Sequence, residues 1–318
     1  MLDKKGRNID YLRISLTDRC NLRCVYCMPE KGIEKKCHDE ILRFEEIEKI
    51  IAACTTLGVK KVRFTGGEPL VLKGIDELIR YTASMPGIED ISLTTNGILL
   101  AEMAEDLKKA GLKRVNVSLD TLQPEKYKKI TRGGDINKVY KAIEKCISLG
   151  MTPVKINAVL MRGMNDDEIG DFLRLTMDSP IQVRFIELMP IGEGIKYFEK
   201  CEMKVEEILE MYPELVPVKD DSRVASVYKL PGAAGKVGLI SPVSCKFCEE
   251  CNRIRLTSTG SIKPCLHSAE EVNLRPYIND DQKLLEVIKT AVYNKPAEHH
   301  LETEGKSDTK RMMFQIGG

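Results

Sequence analysis

Three cysteines in Cys20-Asn21-Leu22-Arg23-Cys24-Val25-Tyr26-Cys27 are spaced CxxxCxxC, which gathers soft ligands into one short loop. Thiolates hold iron–sulfur clusters, and a four-iron cube normally takes four of them. A loop that offers three leaves one iron open, as catalytic metal sites leave a position for a reactant. The alternative is a zinc knuckle, which needs a fourth ligand; Cys37 and His38 are the nearby candidates. A second set lies toward the C-terminus. Cys245, Cys248 and Cys251 form two overlapping CxxC pairs, and Cys265 follows fourteen residues after Cys251. Spacing alone leaves two readings of this set, a tetrahedral four-cysteine zinc site or three thiolates on a second cluster with its own open iron.

The bulk of the chain suits such chemistry in a reducing compartment. Its 318 residues, 42% hydrophobic, are enough for one large domain with or without a smaller partner. Lys and Arg total 49 against 48 Asp and Glu, a balance that argues against a whole-surface field for nucleic acid or an acidic membrane. The first ten residues lack the apolar core of a signal peptide. No stretch approaches the run of about 20 apolar residues that a membrane helix needs. The expectation is a soluble, cytoplasmic protein whose eleven cysteines are ligands, catalytic groups or buried small hydrophobes rather than disulfide partners. Cys54 and Cys146 fall on apolar helix faces and are expected in the core.

Short β-rich runs alternate with amphipathic helical patterns up to about residue 190. Strands are expected over 11–16, 61–65, 91–94, 114–119, 154–159 and 183–186. Between them, Phe44, Ile47, Ile50, Ile51, Cys54 and Leu57 keep helical spacing before Gly58, and Val139, Ala142, Ile143, Cys146 and Ile147 do so before Gly150. Further helices are expected around 75–81 and 101–110. Six strand–helix units imply a parallel sheet. Strands this polar suit a curved inner surface facing a ligand, so an incomplete (β/α)6 TIM-like barrel is favoured over a flat doubly wound sheet. Past 190 the rhythm breaks, with Pro213, Pro217 and Pro231 and several glycines before the second cysteine set and a helical pattern over 281–293. The expected division is a partial barrel over 1–190 and a C-terminal region over 191–318.

Four motifs fall at expected strand ends, where barrels place their chemistry. They are Thr65-Gly66-Gly67-Glu68-Pro69, Thr94-Thr95-Asn96-Gly97, Ser118-Leu119-Asp120 and Glu187-Leu188-Met189-Pro190. Each alone reads as a turn or a helix cap; their shared placement is what points to a site.

Asp18-Arg19 ahead of the first triplet, and the aromatic Tyr26 inside it, complete a pattern that resembles the radical S-adenosylmethionine superfamily. That resemblance implies that the methionine amino and carboxylate groups chelate the open iron of a cluster on Cys20, Cys24 and Cys27. One electron then cleaves the sulfonium to a 5′-deoxyadenosyl radical. It aligns Tyr26, Gly67, Ser118 and Met189 with contacts to S-adenosylmethionine. The pattern PVS…FCxxCNRxRLTxxG…CL, running from Pro242 to Leu266, is more specific. With Gly6-Arg7, the stretch 11–21 and the terminal Gly317-Gly318, it resembles the GTP 3′,8-cyclases, the first enzymes of molybdenum cofactor biosynthesis, over nearly the whole chain.

By that resemblance two [4Fe-4S] clusters are expected. The second sits on Cys248, Cys251 and Cys265 with its open iron toward guanine, and Cys245 is a bystander. Arg13, Arg63, Thr94, Lys155, Arg253 and Arg255 align with GTP contacts. Inward cations on barrel strands have no cheap structural role, since a buried charge without a partner is costly; the other reading gives each one a carboxylate partner. The implied reaction takes hydrogen from C3′ of the ribose and joins C3′ to C8, giving a 3′,8-cyclised dihydroguanosine triphosphate. No further catalytic side chain is assigned. The resemblance also implies a flavodoxin- or ferredoxin-like electron donor and cyclic pyranopterin monophosphate synthase downstream, is compatible with a homodimer, and involves neither nucleic acid nor membrane. Two alternatives remain on the residues alone: a peptide-modifying maturase of the same superfamily, and a non-catalytic iron–sulfur or zinc-stabilised protein.

Overall fold

The computed structural model describes residues 1–34, 37–245, 247–299, 301 and 307–317. Six strands lie side by side in sequence order and parallel: β1 (Tyr11–Ser15), β2 (Lys61–Thr65), β3 (Asp90–Thr95), β4 (Arg114–Ser118), β5 (Val154–Leu160) and β6 (Ile181–Glu187). The connections carry α1 (Phe44–Thr56), α2 (Ile75–Ser84), α3 (Leu100–Lys109), α4 (Pro124–Thr131), α5 (Ile136–Ser148) and α6 (Ile169–Arg174). In α5 the buried Val139, Ala142, Ile143 and Cys146 recur at helical spacing, and the Asp135 side chain caps the first turn by accepting from the Asn137 N–H. A Val or Ile such as Val139 or Ile143 contributes about 1.5–3 kcal/mol when fully buried, and this stripe fixes the helix against the sheet. Cys54 and Cys146 are both fully buried in the core.

Strand alternation sorts the sheet's two faces. Leu12, Ile14, Val62, Phe64, Val183 and Phe185 join the apolar core under the helices, while Arg13, Arg63, Gln182 and Arg184 alternate with them. The polar strands read from the sequence are therefore apolar on their helix-covered face and polar on the other.

The C-terminal part departs from the expected irregularity. Beyond α7 (Ile195–Cys201) and α8 (Glu207–Met211) it supplies β7 (Val216–Pro217), β8 (Ser226–Lys229), β9 (Lys236–Ile240), β10 (Arg253–Leu256), β11 (Ser261–Lys263) and β12 (Val272–Asn273), then α9 (Asp281–Tyr293). Strand β9 pairs in parallel with β6, and β10 pairs in parallel with β1, so eight adjacent strands share one direction. The sheet order runs from β12 to β7, and those two strands are not paired with each other, so the barrel stays open. Both edge strands are two residues long, which leaves little unpaired backbone. The five-residue β9 packs Val237 and Leu239 outward around Gly238, a pattern too short to stand out among prolines and glycines. Among the described residues no helix is long and apolar enough to cross a membrane.

Candidate active site

The first cysteine loop leaves the C-terminal end of β1 and is fastened by backbone bonds from neighbouring elements. The Arg23 and Val25 N–H groups donate to the carbonyls of Thr131 and Ile130 at the end of α4. Arg132, held at a left-handed φ of 55°, donates from one guanidinium nitrogen to the carbonyls of Arg23 and Met28, both at 3.0 Å. These carbonyls bracket Cys24 and Cys27. A cavity of about 170 Å³ opens over the three cysteines and is also lined by Tyr26, Gly67, Thr94, Ser118 and Met189. The four residues aligned with S-adenosylmethionine thus meet the first triplet at one cavity, and Thr94 joins them there. Asp120 lines the same cavity and accepts from the Tyr26 hydroxyl at 2.7 Å.

Glycine is required at this rim. A Cβ on Gly67 would lie 2.3 Å from the Arg19 carbonyl oxygen, next to Cys20. Gly67→Ala is therefore expected to push the cysteine loop aside and lower iron retention at the first triplet, read as iron per chain with the fold monitored by circular dichroism. Unchanged iron content would contradict this. Glu68, beside it, is buried and accepts from the Thr95 hydroxyl at 2.7 Å and from the Asn96 and Leu70 N–H groups, tying β2 to β3; burial pushes it up to about 7.

The thiols fit a cluster that brings its own positive charge. Burial, then Asp120 and the neighbouring thiols, holds Cys24 well above the usual thiol range, and burial with Cys20 pushes Cys27 up to about 12. Three half-buried thiolates crowded together need cations, and iron would supply them. Cys20 Sγ already accepts from the Leu22 N–H at 3.4 Å and the Asn96 amide at 3.7 Å, donors of the kind that tune cluster sulfurs.

The second set lies at the other end of the strands. Tyr11 of β1 pairs in register with Arg253 of β10, so Cys251 sits ahead of the strands' N-terminal ends while Cys20 sits beyond their C-terminal ends. Five residues of strand span about 17 Å. Cys248, Cys251 and Cys265 line one cavity of about 70 Å³ together with Arg253 and Arg255, whereas Cys245 is exposed and outside it. Burial raises Cys251, but the charge of Lys295, the Arg253 N–H and the charges of Arg253 and Arg255 outweigh it and leave the thiol below its usual range. Glu187, at the end of β6, accepts from the Val243 and Ser244 N–H groups at 3.0 Å each and anchors the loop that leads into this set.

Between the two centres the barrel interior is lined with cations. Arg13 is flanked across the sheet by Arg255 on one side and Arg63 on the other. The Arg63 and Arg253 guanidiniums lie 5.4 and 5.5 Å from the centre of the Tyr11 ring. Lys155 and Arg184 face them from β5 and β6. Among the described residues Arg63, Lys155, Arg184, Arg253 and Arg255 form no ion pair with a carboxylate; Arg114, lower on β4, pairs with Asp90. Arg184 is buried, donates to the Gln182 side chain at 3.2 Å and has a second nitrogen without a partner among the described residues. It was not among the cations singled out from the sequence. The Thr94 hydroxyl and the Asn157 side-chain oxygen are likewise buried without partners among the described residues. Unsatisfied polar atoms and unpaired cations around one space suit a polar, polyanionic ligand.

Burial and mutual repulsion set the charges here. Arg184 is pushed down to about 9 and Arg255 to about 10, and both stay charged at neutral pH. Lys155 is the exception: burial, then Arg184, Arg114 and Arg63, push it down to about 6. A polyphosphate bound beside it would restore its charge, so binding would take up a proton. Above pH 6, affinity for such a ligand is then expected to fall with rising pH by up to about tenfold per unit. Calorimetry in buffers of different ionisation heat measures the uptake, and its absence sinks the assignment. The sign for stability is opposite. The unfolded chain holds this proton up to the ordinary 10.5, so in the ligand-free protein the penalty is full below pH 6 and is relieved as pH rises toward 10.5.

The chain's end closes over this space. Arg255 donates to the carbonyls of Ile316 and Gly317 at 3.0 and 2.7 Å, and Gly317 is buried against Thr65. Gly318 lies outside the described residues.

Comparison with known proteins agrees with this geometry. Residues 14–176 match the radical SAM superfamily and residues 181–301 match the family described as Molybdenum Cofactor Synthesis C. A GTP 3′,8-cyclase of Clostridium botulinum is 59% identical, covering all of both chains. Enzymes of the same description from Clostridium acetobutylicum and Alkaliphilus oremlandii are 51% and 53% identical over the full length of both chains. Among solved structures, Streptococcus suis SuiB bound to S-adenosylmethionine superposes with a TM-score of 0.63 at 17% identity, covering 93% of this chain and 68% of that one. The structure titled native anSMEcpe with bound AdoMet gives 0.56 at 18% identity, covering 89% and 84%. Both superpositions speak to the fold alone. Two family matches in series, and relatives this similar from end to end, show that the chain belongs to the GTP 3′,8-cyclase family of the radical S-adenosylmethionine superfamily.

Proposed function

We propose that this chain converts GTP to 3′,8-cyclo-7,8-dihydroguanosine 5′-triphosphate, the first step of molybdenum cofactor biosynthesis. The observation that carries this reading is the arrangement of two cysteine triplets at opposite ends of strands whose shared inner face carries a cluster of buried cations. Cys20, Cys24 and Cys27 would hold one [4Fe-4S] cluster, and Cys248, Cys251 and Cys265 a second. When bound, the reduced first cluster supplies the electron that splits S-adenosylmethionine into methionine and a 5′-deoxyadenosyl radical.

The chain's own groups do the rest. Tyr26, Gly67, Ser118 and Met189 line the cavity over the first triplet and would hold S-adenosylmethionine there. Arg13, Arg63, Lys155, Arg253 and Arg255, with Arg184, would bind the triphosphate, and Thr94 would contact the nucleotide from the side of the first cavity. Arg253 and Arg255 line the second cavity as well, so the base end of the substrate would reach the second cluster's open iron. Packing of Gly317 against Thr65 keeps water from the reacting ribose. The reaction breaks the C3′–H bond, forms a C3′–C8 bond, and closes with one electron and one proton.

Two single electrons per turnover call for a one-electron donor of the flavodoxin or ferredoxin type. The product would pass to cyclic pyranopterin monophosphate synthase, in the cytoplasm, and the reaction is compatible with a homodimer. The reading divides the chain into a partial barrel over 1–190 and a C-terminal region over 191–318 that carries the second centre. GTP deuterated at C3′ tests the hydrogen transfer. Deuterium in the 5′-deoxyadenosine formed is the expected result, and unlabelled 5′-deoxyadenosine would refute it.

A further inference from the structure

The second cysteine set is assembled from separate segments: Cys248 and Cys251 precede β10, whereas Cys265 follows β11. Lys295, just past α9 and only 2% exposed, reaches between them. Its ammonium donates to the carbonyl of Arg253 at 2.9 Å and to the carbonyl of Pro264. Those carbonyls stand two residues after Cys251 and one residue before Cys265. Arg7 approaches from the N-terminal segment. It donates to the carbonyl of Cys248 at 2.7 Å and to those of Pro296 and Ala297 at 2.6 and 2.8 Å, while Asp3 holds it at 2.7 Å. Two cations, bridged by the stretch 295–297, thus fasten backbone next to every member of the triplet.

A buried ammonium that meets carbonyls and, among the described residues, no carboxylate is costly on structural grounds alone. Carbonyl dipoles orient it without cancelling its charge, which stays between the segments that carry Cys251 and Cys265. Thiolates on a reduced cluster add negative charge at that spot. We infer that Lys295, assisted by Arg7, is a positioning residue that seats the second cluster and offsets its charge; this rests on the two-cluster reading above. Arg132 is its counterpart at the first triplet, donating to the carbonyls that bracket Cys24 and Cys27.

The test compares reconstituted full-length wild type, Lys295→Met and Arg7→Gln by iron content and by redox titration followed with electron paramagnetic resonance. Response of the signal to S-adenosylmethionine identifies the first cluster. Wild type is expected to hold about eight irons, two cubes. Lys295→Met is expected to keep the responsive signal and either lose half its iron or hold the second cluster at a more negative potential, since a nearby positive charge favours the added electron. Arg7→Gln is expected to shift the potential the same way but less, because Asp3 already balances its charge. Full iron and unchanged potentials in both variants would overturn the proposal. If Lys295→Met loses the responsive signal too, its fold has failed and Arg7→Gln decides alone, an unchanged potential overturning the inference. Half that iron in wild type would overturn the two-cluster reading, and the proposal with it.

Discussion

Replacing Arg184 by methionine is expected to raise the melting temperature of the ligand-free protein while weakening GTP binding at least about 30-fold. Both effects have one cause. Arg184 is buried among Arg63, Arg253 and Arg114 and, among the described residues, has no carboxylate partner, so in the ligand-free barrel it costs desolvation and repulsion. Methionine keeps most of the side chain's length and removes that cost. With a triphosphate present the same charge is paired, and truncating one partner of a buried, hydrogen-bonded charge pair costs about 2–5 kcal/mol. Each 1.4 kcal/mol is about tenfold in affinity. Equilibrium binding and thermal unfolding on the same preparation measure the two effects together. A lower melting temperature with GTP affinity unchanged would mean that Arg184 serves the fold and not the ligand.

Cys24→Ala is expected to abolish 5′-deoxyadenosine formation while leaving GTP affinity within about threefold, well under 1 kcal/mol. Cys24 lines the first cavity with the other two thiols, and a cube left with two protein ligands is not retained. The cations that would hold the triphosphate are on β1, β2, β5, β6 and β10, and none contacts Cys24 through a hydrogen bond or ion pair among the described residues. Chemistry and substrate binding should therefore separate in this variant. Residual cleavage of S-adenosylmethionine at a rate near wild type would place the radical source elsewhere.

What the sequence made legible was local. Thiol spacing over eight residues marks the first loop by itself. Each of the first six strands alternates strongly enough over five to seven residues to announce its inner and outer face. Arg184 was within reach on the same grounds: Val183 and Phe185 point to the core, so Arg184 had to point inward as Arg13 and Arg63 do. The rest depends on contacts between distant residues. Strands β9 and β10 were hidden because their place beside β6 and β1 is set by pairing with strands far away in the chain, as in Tyr11 with Arg253. Lys295 meets carbonyls 31 and 42 residues away, and Arg132 meets carbonyls 104 and 109 residues away. Neither leaves a periodic or spacing signal. The specific nucleotide reading came from resemblance, and the structure adds its physical ground: two thiol centres with a cluster of buried cations between them.

The most direct test of the account is a single anaerobic incubation of the reduced, reconstituted protein with S-adenosylmethionine and GTP, with both products quantified. The account predicts 5′-deoxyadenosine and a 3′,8-cyclised nucleotide triphosphate in equal amounts. Formation of 5′-deoxyadenosine with GTP left unchanged would contradict it.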